Sequence, residues 1–74
     1  MSVLVKLFAG LRVGRFRAER LDVPEGTTIL ELLELLKIEL LEVSILRVNG
    51  NDISDEHRLL DQDEVAIFPL IYGG

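Results

Sequence analysis

The residues best suited to chemistry stand at the end of the chain, in Pro69-Leu70-Ile71-Tyr72-Gly73-Gly74. Glycine has no Cβ, so a Gly-Gly pair can thread a narrow channel and leaves its carbonyl open to a nucleophile from either face. The chemistry on offer is acyl transfer at the carboxylate of Gly74. A free terminal carboxylate titrates at roughly 3.3–3.7, is ionised at neutral pH and is a poor electrophile, so it must be activated from outside. Extended, the residues Leu70 to Gly74 reach about 17 Å, enough to enter a neighbour's active centre while the body of the protein docks outside it. The rest of the chain offers little competing chemistry. It has no cysteine, hence no thiol to carry sulfur or an acyl group, no disulfide and no thiolate metal site. Its one imidazole, His57, reads as part of a charged turn, with no second ligand or nucleophile to partner it. Asp61, Asp63 and Glu64 read as turn chemistry, not as a metal site.

A body that holds such a tail must fold without staples. The 74 residues suffice for one domain and not two, and Leu, Ile and Val supply 28 of them, an aliphatic load able to sustain a core by itself. The net charge of −5 argues against a nucleic-acid backbone as partner. Charge is unevenly spread: Arg12, Arg15, Arg17 and Arg20 crowd one stretch, while most of the acids lie from Glu31 onward. This reads as a basic patch on an acidic body, suited to an acidic patch on a partner protein. No apolar run approaches the length of a bilayer span and the start of the chain has no leader pattern, so a cytoplasmic protein without membrane contact is expected.

Val3 to Phe8 predicts a strand with Val3, Val5 and Leu7 on one face and Leu4, Lys6 and Phe8 on the other. Ala9 to Gly14 predicts the connection of a hairpin. Phe16 to Val23 predicts its second strand, with Phe16, Ala18, Leu21 and Val23 inward and a bulge to correct the slip in parity. Pro24-Glu25-Gly26 is a turn signal, and Thr28-Ile29-Leu30-Glu31 is a capping box that opens a helix. Ile29, Leu32, Leu33, Leu36 and Leu40 fall within one apolar stripe, whereas Ile38 does not, so the helix is expected to end or distort between Lys37 and Leu40. Leu30, Leu35 and Ile38 read as either a second buried surface or an exposed apolar patch. Ile45 to Val48 is a third strand, Asn49-Gly50 a tight type I′ turn, and a short strand follows near Ile53. Ser54 to Leu60 suggests a single helical turn, Asp61 to Glu64 a polar turn, and Val65 to Phe68 the last strand, with Pro69 ending its ladder. The sum is an α+β fold, a mixed sheet of four to five strands packed on one main helix, with the last strand parallel to the first as in a β-grasp. Residues 1–69 form the domain and residues 70–74 a flexible tail.

Phe8-Ala9 with Arg12 three residues on, the Val48-Asn49-Gly50 turn, and Leu60-Asp61-Gln62-Asp63-Glu64-Val65-Ala66-Ile67-Phe68-Pro69 closing on Gly73-Gly74 resemble the ubiquitin-like sulfur carriers of the MoaD/ThiS family. The likeness is closest to the small subunit of molybdopterin synthase, MoaD, because the thiamine carriers usually lack the proline. It implies no enzyme activity and no bound cofactor. It further implies an E1-like partner, MoeB- or ThiF-like, that uses ATP and magnesium to adenylate the terminal glycine, here Gly74, with persulfide sulfur turning the adenylate into a thiocarboxylate. It implies as well a MoaE-like large subunit, joined with the carrier in a heterotetramer, that delivers this sulfur to a pterin precursor. Phe8, Arg12 and Phe68 are implied as docking surface, against the plain alternative that both rings are ordinary core. Leu70, Ile71, Tyr72 and Gly73 are implied as the arm that presents Gly74. Tyr72 departs from the small residue usual before the glycines, so the receiving channel must admit an aromatic ring. Gln62 stands where glycine is common. Other readings of the same tail are a carrier for thiamine or another pathway, a ubiquitin-like modifier conjugated to lysines through Gly74, and a plain interaction module.

Overall fold

The structure, a computed structural model, describes residues 1–70. Alternating residues send Val3, Val5 and Leu7 of β1 (Ser2–Leu7) into the core and leave Leu4 and Lys6 on the opposite face. A 3-10 turn (Ala9–Arg12) leads to β2 (Ala18–Asp22), which pairs antiparallel with β1 in an unbroken register from Ser2 with Asp22 to Lys6 with Ala18. No bulge is needed, because Phe16 precedes the strand instead of belonging to it. Leu21, opposite Val3, faces the core, while Ala18, opposite Lys6, is exposed, contrary to its expected inward place. Helix α1 (Ile29–Leu36) crosses to β3 (Val43–Val48) by way of a second 3-10 turn (Leu40–Glu42). A turn with positive φ at Asn49 (52°) and Gly50 (83°) leads to the two-residue β4 (Asn51–Asp52), and β5 (Glu64–Pro69) closes the sheet. The strand order is β2-β1-β5-β3-β4, with β1 and β5 parallel and the other pairs antiparallel. Ile29, Leu32 and Leu33 of the helix join Val3, Val5, Leu7, Leu46, Val48, Val65 and Ile67 in one buried cluster. The other sheet face is left uncovered by the helix.

An eight-residue helix is too short to persist alone, so its ends have to be satisfied by the rest of the chain. At the start, Thr28 Oγ1 accepts from the Glu31 amide at 3.2 Å and the Glu31 carboxylate accepts from the Thr28 amide at 3.0 Å, the expected capping box. The amides of Ile29 and Leu30 donate to the carbonyls of His57 and Asp55, both at 2.9 Å. Ser54 to Leu60 forms one tight turn, the His57 amide donating to Ser54 O at 3.1 Å, but does not go on into a helix: the carbonyls of Asp55 and His57 face α1 and cap it, and Leu59 is drawn into the core. At the far end Lys37 takes the left-handed conformation (φ 59°), with its amide bonded to Glu34 O and the Ile38 amide to Leu33 O. This paired closure reverses the chain and carries Ile38, off the helical stripe in the sequence, into the core. Leu40, expected on that stripe, lies beyond the helix and is exposed, as are Leu30 and Leu35.

The last turn of α1 has no basic residue of its own. Arg15 reaches over from the β1–β2 connection: its guanidinium donates to Leu36 O at 3.0 Å, Lys37 O at 2.9 Å and Leu11 O at 3.1 Å. It brings positive charge to the negative end of the helix and pins two loops together. Arg17 makes no such contact among the described residues. Arg15→Ala is expected to lower the unfolding free energy by about 1.5–3 kcal/mol, the range for hydrogen bonds from a charged donor, and Arg17→Ala by less than about 0.5 kcal/mol, both read from urea titrations. Lys37→Gly, which relieves a left-handed side-chain residue, is expected to raise stability by about 0.5–1 kcal/mol in the same titration.

Two carboxylates titrate below their ordinary range. Glu31 is lowered first by the Thr28 amide and then by the Thr28 hydroxyl; Asp61 is lowered first by the backbone amide of Ser2, which it accepts at 2.7 Å. A folded pKa below the unfolded one gives stability that is complete above the unfolded value and is lost as pH falls through the folded one. The thermal midpoint is therefore expected to fall as pH drops from about 5 toward 3. Glu31→Gln, which keeps an acceptor oxygen at the cap, should lessen that dependence; an unchanged slope in this variant would show that the capping carboxylate does not contribute to it.

Candidate functional site

The register of the sheet builds the site. Leu7 of β1 lies beside Ile67 of β5 in the parallel ladder, and both are buried. The next residue on each chain must point to the opposite face, so Phe8 and Phe68 emerge side by side on the uncovered side of the sheet. Their rings stack with centroids 4.2 Å apart and planes 11° from parallel. Such a pair contributes about 0.5–1.5 kcal/mol beyond the area it covers. Both rings are half-buried and neither belongs to the core under the helix, which answers the question the sequence left open between core and surface. The Phe8 amide donates to Ile67 O at 3.2 Å, holding the first ring against the second strand.

An arginine stands over each ring. The Arg12 guanidinium carbon is 5.5 Å from the centroid of Phe8, and Arg12 Nε donates to Leu7 O at 2.7 Å, which fixes the side chain across the ring. The guanidinium carbon of Arg47 is likewise 5.5 Å from the centroid of Phe68, while its Nε meets Asp52 Oδ1 at 2.7 Å. Arg47 was not singled out in the sequence, although the period of two in β3 held the signal: with Leu46 and Val48 inward, Ile45 and Arg47 face outward with Phe68. The structure thus brings Phe8, Arg12 and Phe68 together and adds Arg47. It separates the remaining arginines: Arg15 clamps the helix, and Arg20 donates to Ser2 Oγ and Gln62 Oε1.

The acids of the 61–64 turn have structural partners. Asp63 is buried, accepting from Asn49 Nδ2 at 3.0 Å and from the Leu60 amide at 2.8 Å, while Asn49 Oδ1 accepts from the Glu64 amide at 2.9 Å. One buried carboxylate and one amide thereby lock the two turns at that end of the sheet. Glu64 pairs across β1 with Lys6 at 3.0 Å, both side chains substantially exposed. Gln62 has φ 70°, the left-handed conformation that explains why glycine suits this position. His57 is half-buried and serves α1 through its carbonyl. Among the described residues no group of three His, Cys, Asp or Glu side chains could hold a metal ion.

The tail root is held longer than proline alone suggests. Pro69 is still a ladder partner of Val43, because alternate residues of β5 point their amides to opposite sides and the one Pro69 lacks would face β1, whose strand has already ended. The next amide, that of Leu70, turns back to β3's side and donates to Glu42 O at 2.8 Å. Ile71, Tyr72, Gly73 and Gly74, to which the sequence assigns the expected acyl chemistry, lie outside the described residues. No described helix is long and apolar enough to cross a membrane.

The geometry agrees with the comparisons. Small archaeal modifier protein SAMP1 of Haloferax volcanii is 27% identical with a TM-score of 0.79, the match covering all of both chains. A protein of Pyrococcus furiosus, provisionally assigned as subunit 1 of a molybdopterin converting factor, is 30% identical with a TM-score of 0.79 over 96% of this chain and 99% of its own. The complex of subunits 1 and 2 of the molybdopterin-converting factor from Helicobacter pylori contains a chain 21% identical, matched over the full length of both with a TM-score of 0.68, which shows the shared fold. A comparison with curated protein sequences found no match. The model described as the ThiS family matches residues 5–74, and with the β-grasp architecture and the run into Gly73-Gly74, this places the chain in the ThiS family, among the MoaD- and ThiS-like ubiquitin-fold proteins.

Proposed function

We propose that this protein is the sulfur carrier of a molybdopterin synthase, in a molybdenum or tungsten cofactor pathway, and that the Gly74 carboxylate is the group that carries the sulfur. The observation that supports it most is that docking face and tail share one strand: β5 presents Phe68, stacked on Phe8 under Arg12 and Arg47, and two residues later is the root of the Gly-Gly arm. A partner that reads the aromatic and arginine surface is thereby brought to the tail. The likeness to the Pyrococcus furiosus subunit supports the pterin pathway over thiamine synthesis.

The chain has no thiol of its own, so each chemical step belongs to a partner. In an E1-like enzyme with ATP and magnesium, a Gly74 carboxylate oxygen attacks the α-phosphorus and pyrophosphate leaves. A persulfide sulfur then attacks the acyl carbon and displaces AMP. A reducing thiol cleaves the resulting S–S bond and leaves the thiocarboxylate on Gly74. A large subunit like subunit 2 of the Helicobacter pylori complex then seats on the same sheet face, giving a heterotetramer in the cytoplasm. Phe8, Arg12 and Phe68 provide the contact, Leu70 anchors the arm at its root, and Ile71 to Gly73 provide reach.

The similarity to SAMP1 over the whole chain favours one second reading, a modifier joined to lysines through Gly74. Intact-mass analysis after incubation with an E1-like enzyme, ATP, magnesium and a persulfide donor separates the two. Exchange of one oxygen for sulfur at Gly74 is expected; lysine conjugates in cells with no such exchange would establish the modifier instead. Deleting Gly74 should abolish the exchange with the thermal midpoint unchanged. A large drop in that midpoint would mean that the last residue helps hold the domain together.

A further inference from the structure

We infer that the pole of the domain around the tail root is a second contact surface, an apolar collar that closes on the rim of the channel through which the adenylating partner admits Gly74. The inference rests on the carrier reading above. With the Leu70 amide held by Glu42 O, only Ile71 to Gly74 are left to reach the reacting centre. Fully extended, they span at most about 13–14 Å. Whatever protein activates the Gly74 carboxylate must bring its surface within that distance of Leu70, so the tail root has to face it.

That pole is unusually apolar. Leu41 and Val13, 82% and 78% exposed, are the two most exposed large hydrophobic residues described, and Leu40 and Leu70 are also exposed. Val13 stands in the β1–β2 connection and Leu41 in the 3-10 turn before β3. These two segments supply Gly10, Leu11, Arg15 and Glu42 to a groove completed by Pro69 and Leu70. The charges beside the groove are already engaged within the chain: Arg15 with three carbonyls, and the Glu42 carboxylate with the Glu39 amide at 3.0 Å. What the collar offers a partner is therefore apolar area, and the fitting occupant is an uncharged, apolar channel rim. The stacked rings and arginines of the sheet face call for a different complement, so the partner is gripped by two chemically distinct surfaces on either side of β5.

The test is ATP–pyrophosphate exchange catalysed by an E1-like enzyme, with the carrier as varied substrate. Val13→Ser with Leu41→Ser is expected to raise the KM for the carrier about tenfold or more while kcat stays within about twofold. Each single variant is measured as well, in case the pair does not fold. Leu60→Ser is the control: Leu60 is 70% exposed but lies beside Met1, at the opposite end of the sheet, and should change neither constant by more than about twofold. A folded collar variant with unchanged KM overturns the collar and leaves the carrier reading standing. Absence of exchange with the wild-type chain overturns both. A wild-type dimer in sedimentation that the two substitutions dissolve assigns the collar to a second copy of this chain and overturns the inference.

Discussion

The parallel pairing of β1 with β5 is the constraint on which the remaining structure depends. It joins residues some 60 positions apart and closes a loop that contains the helix and β3, which must therefore lie within the space that this pairing leaves. Because β5 lies between β1 and β3, the final strand is also the central one, buried on the helix side through Val65 and Ile67. The same register that puts Leu7 beside Ile67 in the core puts Phe8 beside Phe68 on the outer face. A one-residue slip of β5 would turn Phe68 inward and Val65 and Ile67 outward while β1 kept its faces, breaking both pairs, so core stability and the proposed docking face are set by one alignment. The strand then runs directly into the tail, and its direction in the sheet decides the pole from which the arm leaves.

The short helix follows from the same economy. Eight residues give too little cooperativity for an independent helix, and the chain compensates at both ends with groups from far away in sequence. The carbonyls of Asp55 and His57 take the first amides, while Arg15 takes the last carbonyls. These contacts tie the helix to the segment leading into β5 at one end and to the β1–β2 connection at the other. The second lies next to the tail groove, since Arg15 lines it. The wall of the tail groove and the closure of the helix thus share a side chain.

Much of this was legible in residue order because it is local. A capping box, an Asn-Gly turn, a Pro-Glu-Gly turn and the parity of β1 each involve residues within a few positions of one another, and their geometry is the same in any context. The parity of β2 was misread because Phe16 has the look of a strand residue but packs on the core from the loop before it, so Ala18 is left outside. Ser54 to Leu60 has the composition of a helical turn, and the presence of α1's open amides beside it explains why it makes only one tight turn, from Ser54 to His57, and gives the carbonyls of Asp55 and His57 to the helix. Arg15 and Arg17 look alike in sequence; a contact across more than 20 positions makes one a helix clamp and leaves the other on the surface. In the proposed docking face, Phe8, Arg12 and Phe68 could be named through resemblance, whereas Arg47 required the pairing of β3 with β5. At Leu70 the proline beside it suggested release, and only the side to which each β5 amide points shows that the next residue is still held.

Composition and surface also suit the reactive end that we propose. On the carrier reading, the acyl-adenylate and the acyl disulfide that follows it on Gly74 are open to any nucleophile within reach, and a carrier that attacked its own tail would be lost. The chain has no cysteine and only two lysines, Lys6 and Lys37, while six of its eight basic residues are arginine. Lys6 is engaged by Glu64 in an ion pair on the sheet. Arginine stays protonated far above neutral pH, so it can give the sheet face its positive charge and stack on Phe8 and Phe68 without offering a lone pair. A surface that built the same charge from lysines would present amines close to the activated carbonyl. On the carrier reading, the preference for arginine beside the aromatic pair lets one face attract partners while remaining chemically silent toward the group it delivers.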